Sequence, residues 1–214
     1  MASNILYPTL PWLDLLLGDG LVKGGTYHIQ GEPGVGKTTL AAQVLVEATR
    51  NRAMDRHPPP TALFLSGEQS AERFASLLTR IDFERLSDFH YLFQRNADDA
   101  LSLLRVMRPD IVVVDTVQTI SHFDEEGQHV PLKPELKLRR FQRAAGECTT
   151  MVFLSHESKP RTSVEVSHFD AAFTLHSHDG VTTVSTVKNR FASAKNASLK
   201  LYMTQSGFVP MIAK

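Results

Sequence analysis

Eight consecutive residues near the start of the chain match the P-loop pattern G-x-x-x-x-G-K-[ST] without a substitution. Glycines let successive backbone N–H groups approach phosphate oxygens, and the positive end of a helix dipole adds to the attraction. The lysine can reach the β- and γ-phosphates, and the hydroxyl after it can ligate Mg²⁺. We therefore predict that the chain binds a nucleoside triphosphate through Gly31, Glu32, Pro33, Gly34, Val35, Gly36, Lys37, Thr38 and Thr39.

The segments on either side of this motif have the patterns of a strand and a helix. Residues 26–30 are β-branched and aromatic, which is typical of a short buried strand. Residues 39–48 combine good helix formers with apolar side chains at helical spacing. The alternative is a glycine-rich turn that binds nothing, and this strand-to-helix context argues against it.

Two acidic residues end other predicted buried strands. Asp115 ends the β-branched run 110–115 and is predicted to be the second Mg²⁺ anchor, acting through a water molecule. A turn residue or helix cap is its alternative role. Glu68 follows the strand 61–65, where a carboxylate can orient and deprotonate the water that attacks the γ-phosphate. An acid that only favours the start of the next helix is the alternative for Glu68.

Other polar residues also follow predicted strands. His156 lies where a side chain could sense the γ-phosphate, although a lone histidine is often structural. The same two alternatives apply to Gln118, three residues after Asp115. Lys188 and Arg190 follow an alternating strand. A basic cluster there could discourage pairing of the sheet edge with another strand. It could also supply positive charge to a transition state, and the residues alone leave both alternatives open.

Strands that alternate with helices predict a three-layer α/β fold with a mostly parallel central sheet. Near the end of the chain, two alternating runs flank Asp179-Gly180, which predicts a hairpin and an antiparallel extension of the sheet. We expect a single domain of 214 residues, with a lead-in over 1–25, a parallel core over 26–177 and β-hairpins over 178–214. Residues 116–134 are predicted to form a long loop before a basic helix over 135–147.

Composition limits the classes of function. The chain has 23 Lys and Arg residues and 23 Asp and Glu residues, so its net charge gives no indication that it binds nucleic acid. The single cysteine, Cys148, excludes a disulfide framework and is expected to be a small core residue. We see no signal peptide and no apolar run of about 18 residues, so we expect a cytoplasmic protein without a membrane partner.

Taken together, these motifs resemble those of the RecA-like ATPases. The resemblance is strongest to the ATPase core of bacterial RadA (Sms), and KaiC is a nearer relative than the DnaB helicases. The K-N-R-F tetrapeptide is the most telling part, because the P-loop is shared widely. The resemblance is carried by LDLLLGDGL at 13–21, GEPGVGKTTL at 31–40, LSGEQS at 65–70, VVDTVQTI at 113–120 and KNRF at 188–191.

The resemblance implies a RecA-like fold and an enzyme that hydrolyses ATP with Mg²⁺. It implies that Glu68 is the catalytic glutamate, that His156 is a sensor, and that Lys188 and Arg190 act in trans on a neighbouring subunit's nucleotide. It further implies a homo-oligomer, either a hexameric ring or a filament, with ATP sites at subunit interfaces and single-stranded DNA as a partner in recombination, repair or replication. Candidate phosphate contacts are Lys159, Arg161, Arg139, Arg140 and Arg143.

Some positions depart from the RadA pattern. RadA usually carries a four-cysteine zinc module and a Lon-protease-like domain, and these 214 residues contain neither. Gln69 stands where a second glutamate is common, and Lys195-Asn196 replaces a glycine-rich continuation. Because residues 124–126 are acidic, the alternative is a KaiC-like regulatory ATPase that acts on protein partners.

Overall fold

The structure is a computed structural model that describes residues 6–50, 60–81, 88–124, 126–157, 165–192 and 197–211. Its helices are α1 (Pro11–Leu17), α2 (Lys37–Arg50), α3 (Ala71–Arg80), α4 (Ala97–Met107) and α5 (Pro134–Ala145). Its strands are β1 (Leu6–Tyr7), β2 (Leu21–Val22), β3 (Thr26–Gly31), β4 (Ala62–Ser66), β5 (Phe89–Phe93), β6 (Ile111–Asp115), β7 (His122–Phe123), β8 (His129–Val130), β9 (Thr150–His156), β10 (Ala171–His178), β11 (Val181–Asn189), β12 (Ser198–Thr204) and β13 (Gly207–Pro210).

A nine-stranded sheet in the order β13-β12-β11-β10-β3-β9-β6-β4-β5 runs through the molecule. The six strands from β10 to β5 pair in parallel, and β11, β12 and β13 add antiparallel pairs at the β10 edge. All residues of β4 and β6 are buried, as expected for apolar strands covered on both faces. The predicted α/β fold class is therefore confirmed.

Helices cover both faces of this sheet and form two hydrophobic cores. On one face, Leu40 and Leu45 of α2 pack in the same core as Phe74 of α3. On the other face, Leu104 of α4 and Phe141 of α5 belong to the second core. The parallel strands are thus fixed between two helical layers, as the three-layer prediction requires.

The register of the parallel strands brings several polar strand ends to one edge. Gly31 at the end of β3 pairs with His156 at the end of β9, and Ser66 of β4 pairs with Asp115 of β6. Ligands bind at the carboxyl edge of open α/β sheets. The strand-end residues selected from the sequence therefore lie along the edge where a ligand is expected.

The predicted hairpin at the end of the parallel core is also confirmed. β10 and β11 pair antiparallel and are joined by Asp179-Gly180. Both residues have left-handed φ angles, of 49° and 77°, which a tight two-residue turn of this kind requires. The change from parallel to antiparallel pairing falls at this hairpin.

Two sequence expectations are wrong. The segment 116–134 is not simply a loop, because β7 and β8 form a small antiparallel hairpin within it. Cys148 is exposed rather than in the core, because α5 ends at Ala145 and the thiol lies in the turn beyond it. Lys159, Arg161, Lys195 and Asn196 lie outside the described residues.

In the part of the chain that the structure describes, no helix is long and apolar enough to cross a membrane.

Candidate active site

The P-loop lies between β3 and α2, and its geometry explains its glycines. Gly34 and Gly36 have φ angles of 81° and 99°, which L side chains rarely adopt. A Cβ atom at Gly31 would lie 2.6 Å from the carbonyl oxygen of Leu175 on β10. The first N–H groups of α2 have no intrahelical partner, so the loop and the helix start together form a site for an anion.

Lys37 is the first residue of α2, and its side chain is buried beneath the loop. Its Nζ donates to the carbonyl oxygens of Gly31 and Glu32, both at 2.9 Å, and lies 3.3 Å from Nδ1 of His156. Burial lowers the pKa of Lys37, while the charges of Asp115 and Glu68 oppose that shift. The ammonium group is thus already held at the loop that is expected to bind phosphates.

Thr38 and Asp115 meet directly. The Thr38 hydroxyl donates to Oδ2 of Asp115 at 2.8 Å, and Oδ1 of Asp115 is buried without a hydrogen-bond partner among the described residues. Desolvation raises the pKa of Asp115 to about 7. A hydroxyl beside an unpartnered carboxylate oxygen fits a hard cation such as Mg²⁺, which prefers oxygen ligands and keeps several of its waters.

Glu68 is half-buried and held by two side chains. Its Oε1 accepts a hydrogen bond from the Thr116 hydroxyl at 2.8 Å and lies 2.7 Å from Nε2 of His156. The backbone nearby is fixed as well, since the Glu68 N–H donates to Oγ of Ser66 at 3.2 Å. The carboxylate is therefore placed on the edge that carries the P-loop.

His156 links the P-loop lysine to this glutamate. With the ring proton on Nε2, the histidine donates to Glu68, and its Nδ1 accepts from the Lys37 ammonium. Gln118 lies beside it, because its Nε2 donates to the carbonyl oxygen of His156 at 3.4 Å. Oε1 of Gln118 is buried without a hydrogen-bond partner in the described part of the chain. These contacts join a predicted sensor to the predicted catalytic groups.

Lys188 and Arg190 do not join this cluster. Lys188 pairs with Ala172 near the start of β10, and its Nζ donates to backbone oxygens of the residues before β10, Val166, Ser167 and Phe169. Arg190 lies 3.3 Å from a carboxylate oxygen of Asp170. The start of β10 pairs with the start of β3, so both cations lie at the edge of the sheet opposite the P-loop.

Two features of the site are not among the sequence predictions. The Thr116 hydroxyl holds Glu68, and its position directly after Asp115 is a signal that could have identified it. A Cβ atom at Gly36 would lie 2.6 Å from the Phe208 ring and 2.7 Å from the Met203 side chain, so the β12–β13 hairpin packs on the P-loop. No local pattern indicates that contact, because more than 160 residues separate its partners.

The P-loop between a central strand and a helix, together with acidic side chains on neighbouring parallel strands, defines a RecA-like P-loop ATPase. A family model described as an AAA domain matches residues 6–162. The chain belongs to this family, and it is a RecA-like P-loop ATPase.

Curated relatives include DNA repair protein RadA from two bacteria. The Streptococcus pyogenes protein is 28% identical over 204 residues, which cover 90% of this chain and 42% of the relative. The Mycolicibacterium smegmatis protein is 39% identical over 126 residues, which cover 56% of this chain and 24% of the relative. The chain spans less than half the length of these relatives.

Solved structures with the same fold come from archaea. A KaiC-like protein from Pyrococcus horikoshii OT3 superimposes with a TM-score of 0.77 at 16% identity, covering 98% of this chain and 100% of the other. The flagellar accessory protein FlaH from Methanocaldococcus jannaschii gives a TM-score of 0.75 at 14% identity, with the same coverage. At these identities the likeness establishes the fold.

Proposed function

We propose that this ATPase works as a homo-oligomer on single-stranded DNA in recombination, repair or replication. The observation that carries the proposal is the chain of contacts from Lys37 through His156 to Glu68. It joins the group expected on the phosphates to the group expected on the attacking water. The RadA relatives, which are described as DNA repair proteins, support DNA as the partner.

In this proposal Glu68 is the general base. Its carboxylate takes a proton from water as the water oxygen bonds to the γ-phosphorus and the bond to the β–γ bridging oxygen breaks, which releases ADP. Lys37 turns from the carbonyl oxygens of Gly31 and Glu32 to the phosphate oxygens. Thr38 and Asp115 would hold Mg²⁺, which neutralises charge on the β- and γ-phosphates.

Because Lys37 also contacts His156, movement of the ammonium toward phosphate changes the partners of that ring. His156 then reports the state of the site to Glu68, which it contacts at 2.7 Å. This is the sensor role expected of a polar residue at the end of β9. The presence of the γ-phosphate would in this way be coupled to the position of the catalytic carboxylate.

Lys188 and Arg190 are proposed to reach the nucleotide of a neighbouring copy. They lie at the opposite edge of the sheet from their own P-loop, and β3 between the two edges is six residues long. At roughly 3.3 Å per residue they cannot reach the nucleotide of their own subunit. Cations from one copy would therefore complete the ATP site of the next.

A second candidate is a regulatory ATPase that acts on protein partners. Asp124 and Glu126 are exposed near the turn of the β7–β8 hairpin, within the segment 116–134. Negative charge there opposes a phosphate backbone. The neutral net charge of the chain also fits this alternative.

Steady-state ATP hydrolysis with and without oligothymidylate separates the two candidates. We expect stimulation by DNA that fades as salt rises, and a kcat about 10²–10⁴-fold lower in Glu68→Gln. Nucleotide affinity of that variant should stay near wild type, which makes it a matched control. Hydrolysis that depends on Glu68 but ignores DNA at every salt concentration would support the regulatory ATPase instead.

A further inference from the structure

A groove of about 980 Å³ runs along α4 and α5, from Asp98 in the first turn of α4 to the residues that follow the two helices. Asp110 and Thr149, which line it, directly precede β6 and β9. One end of the groove therefore lies at the amino edge of the parallel strands, the edge opposite the P-loop. Leu101, Pro109 and Ala144 contribute apolar surface to its lining.

Arginines line both walls of this groove. Arg105 and Arg108 come from the last turn and the C-cap of α4, and Arg140 and Arg143 come from α5. Arg140 and Arg143 are three positions apart within α5, the spacing at which helical side chains share a face. Since α4 and α5 pack side by side, two pairs of guanidinium groups face one groove.

None of these four arginines forms an ion pair with another described residue. Among the described arginines, carboxylate partners lie near Arg50 and Arg190 instead. Arg140 instead lies 3.2 Å from Nδ1 of His122. The backbone of Arg108 has a left-handed φ of 46°. These four guanidinium groups line one groove without ion-pair partners among the described residues, so they attract an anion that enters it.

Three acids also line the groove, and two of them already have partners. Both carboxylate oxygens of Asp98 lie 3.2 Å from His122. Asp110 accepts from the Tyr7 hydroxyl at 3.5 Å and from the Thr61 N–H at 3.0 Å. With Glu147 as the third acid, four positive charges still exceed three negative ones.

We infer that this groove, defined by Arg105, Arg108, Arg140 and Arg143, binds the phosphodiester backbone of single-stranded nucleic acid. The planar guanidinium fork matches phosphate oxygens two at a time. A phosphodiester chain carries an anion at every nucleotide and so meets arginines on both walls. The described residues that line the groove include no aromatic side chain on which bases could stack, so we expect the contact to be independent of sequence.

This inference rests on the proposed function, because single-stranded DNA is the partner proposed there, but it assigns the strand to a surface remote from the ATP site. Binding at the groove therefore does not require nucleotide. Variants of the groove should change DNA affinity without changing ATP affinity, because α4 and α5 end at the opposite sheet edge from Lys37.

The test is fluorescence anisotropy of labelled oligothymidylate with wild type and with Arg105→Gln/Arg143→Gln, at salt from about 50 to 200 mM. Each contact to a single-stranded phosphate contributes about 0.7 to the slope of the logarithm of affinity against the logarithm of salt concentration. The double variant should therefore lose about 1.4 of this slope and bind about tenfold more weakly. Arg73→Gln is the matched control, since Arg73 is an exposed arginine of α3 on the other face of the sheet. Thermal unfolding of each variant confirms that any loss of binding occurs in folded protein.

Each outcome is distinct. Equal affinity of the double variant and wild type would overturn the groove assignment while leaving DNA as the partner. Wild type that hydrolyses ATP but binds no oligothymidylate would overturn both the groove assignment and DNA as the partner. Polyglutamate that binds as tightly as oligothymidylate would show that the groove selects an acidic peptide, and the nucleic-acid assignment would be wrong.

Discussion

At the scale of single residues, the site is organised around the carboxylate of Glu68. Two neighbours fix it, His156 from β9 and Thr116 from the segment after β6. Each comes from a different strand end, so the position of the base depends on the parallel register of the sheet. The roles of Glu68 and Asp115 remain predictions, and their contacts are those that the predicted roles require.

Replacing Thr116 with valine tests whether its hydroxyl positions the base. The side chain is fully buried and similar in shape to valine, so the variant removes the 2.8 Å hydrogen bond to Glu68 and a longer contact of 3.4 Å with the Thr119 hydroxyl. A hydrogen bond to a charged group contributes about 1.5–3 kcal/mol, so we expect kcat to fall about tenfold or more while KM changes little. The measurement is steady-state ATP hydrolysis.

Thr116→Ser is the matched control because it keeps the hydroxyl. We expect it to retain most of the wild-type kcat. If the serine and valine variants lose activity equally, the methyl group or the backbone is what matters, and the positioning role is wrong.

At the scale of elements, the P-loop is supported from both sides. β10 approaches Gly31 on one side, and the β12–β13 hairpin covers Gly36 on the other. The side chain of Gln43 on α2 fastens that hairpin, since its amide accepts from the Phe208 N–H at 2.8 Å and donates to the Phe208 carbonyl at 3.2 Å. The antiparallel extension therefore shapes the nucleotide site although it lies far away in sequence.

A pair of alanine substitutions separates backbone strain from this packing. Gly34 and Gly36 both have left-handed φ angles, but a Cβ atom meets nothing within 4 Å at Gly34 and meets Phe208 and Met203 at Gly36. We expect Gly34→Ala to cost about 1–2 kcal/mol of unfolding free energy and Gly36→Ala about 1–3 kcal/mol more. Chemical denaturation measures both values.

Adding Met203→Ala to Gly36→Ala should recover part of the extra loss by making room for the new Cβ. If both glycine variants are equally destabilised, then packing of the hairpin on the loop has no energetic consequence.

His28 gives the core a dependence on pH. It is buried in β3, stacks on Phe169 at 4.5 Å and lies 2.7 Å from the Ser155 hydroxyl. Burial lowers its pKa from 6.5 to about 4. The unfolded chain therefore binds a proton that the folded chain does not, between those two pH values, and stability falls as pH falls through this range.

Comparison with His28→Gln isolates that contribution. Wild type should lose about 3 kcal/mol more unfolding free energy than the variant between pH 7 and pH 4, the amount that corresponds to about 2.5 pKa units. Denaturant titrations at each pH supply the values. Parallel pH profiles of the two proteins would contradict neutral burial of His28.

The sequence predicts the parallel part of the fold well because its signals are local. The buried runs at 61–65 and 110–115 are continuous, and Asp179-Gly180 dictates its hairpin. Prediction from the sequence fails where the structure depends on residues far apart in the chain or on very short strands. β7 and β8 have only two residues each. The packing of Phe208 on Gly36 cannot be predicted from the sequence of either segment alone.

In the candidate site, too, the sequence predicts the residues that have local signals and misses the contacts that depend on distant segments. A motif shared by many proteins identifies the P-loop, and strand ends identify Asp115, Glu68 and His156. The contact of Thr116 with Glu68 and the chain from Lys37 to Glu68 depend on strand order, which cannot be read from any one segment.

At the scale of the whole molecule, the candidate catalytic residues divide between the two sheet edges. The carboxyl edge carries the P-loop with Glu68 and Asp115, whereas Lys188 and Arg190 lie at the amino edge. We propose that a second copy brings these two edges together, so that an ATP site is complete only between subunits.

The most direct measurement mixes Lys37→Ala protein with Arg190→Ala protein and follows ATP hydrolysis across mixing ratios. Each variant alone should be nearly inactive. In the mixture, some interfaces pair an intact P-loop with an intact Arg190, so activity should rise to a maximum at an intermediate ratio. No recovery at any ratio, with both variants folded and assembled, would mean that the site is complete within one subunit and would contradict the account.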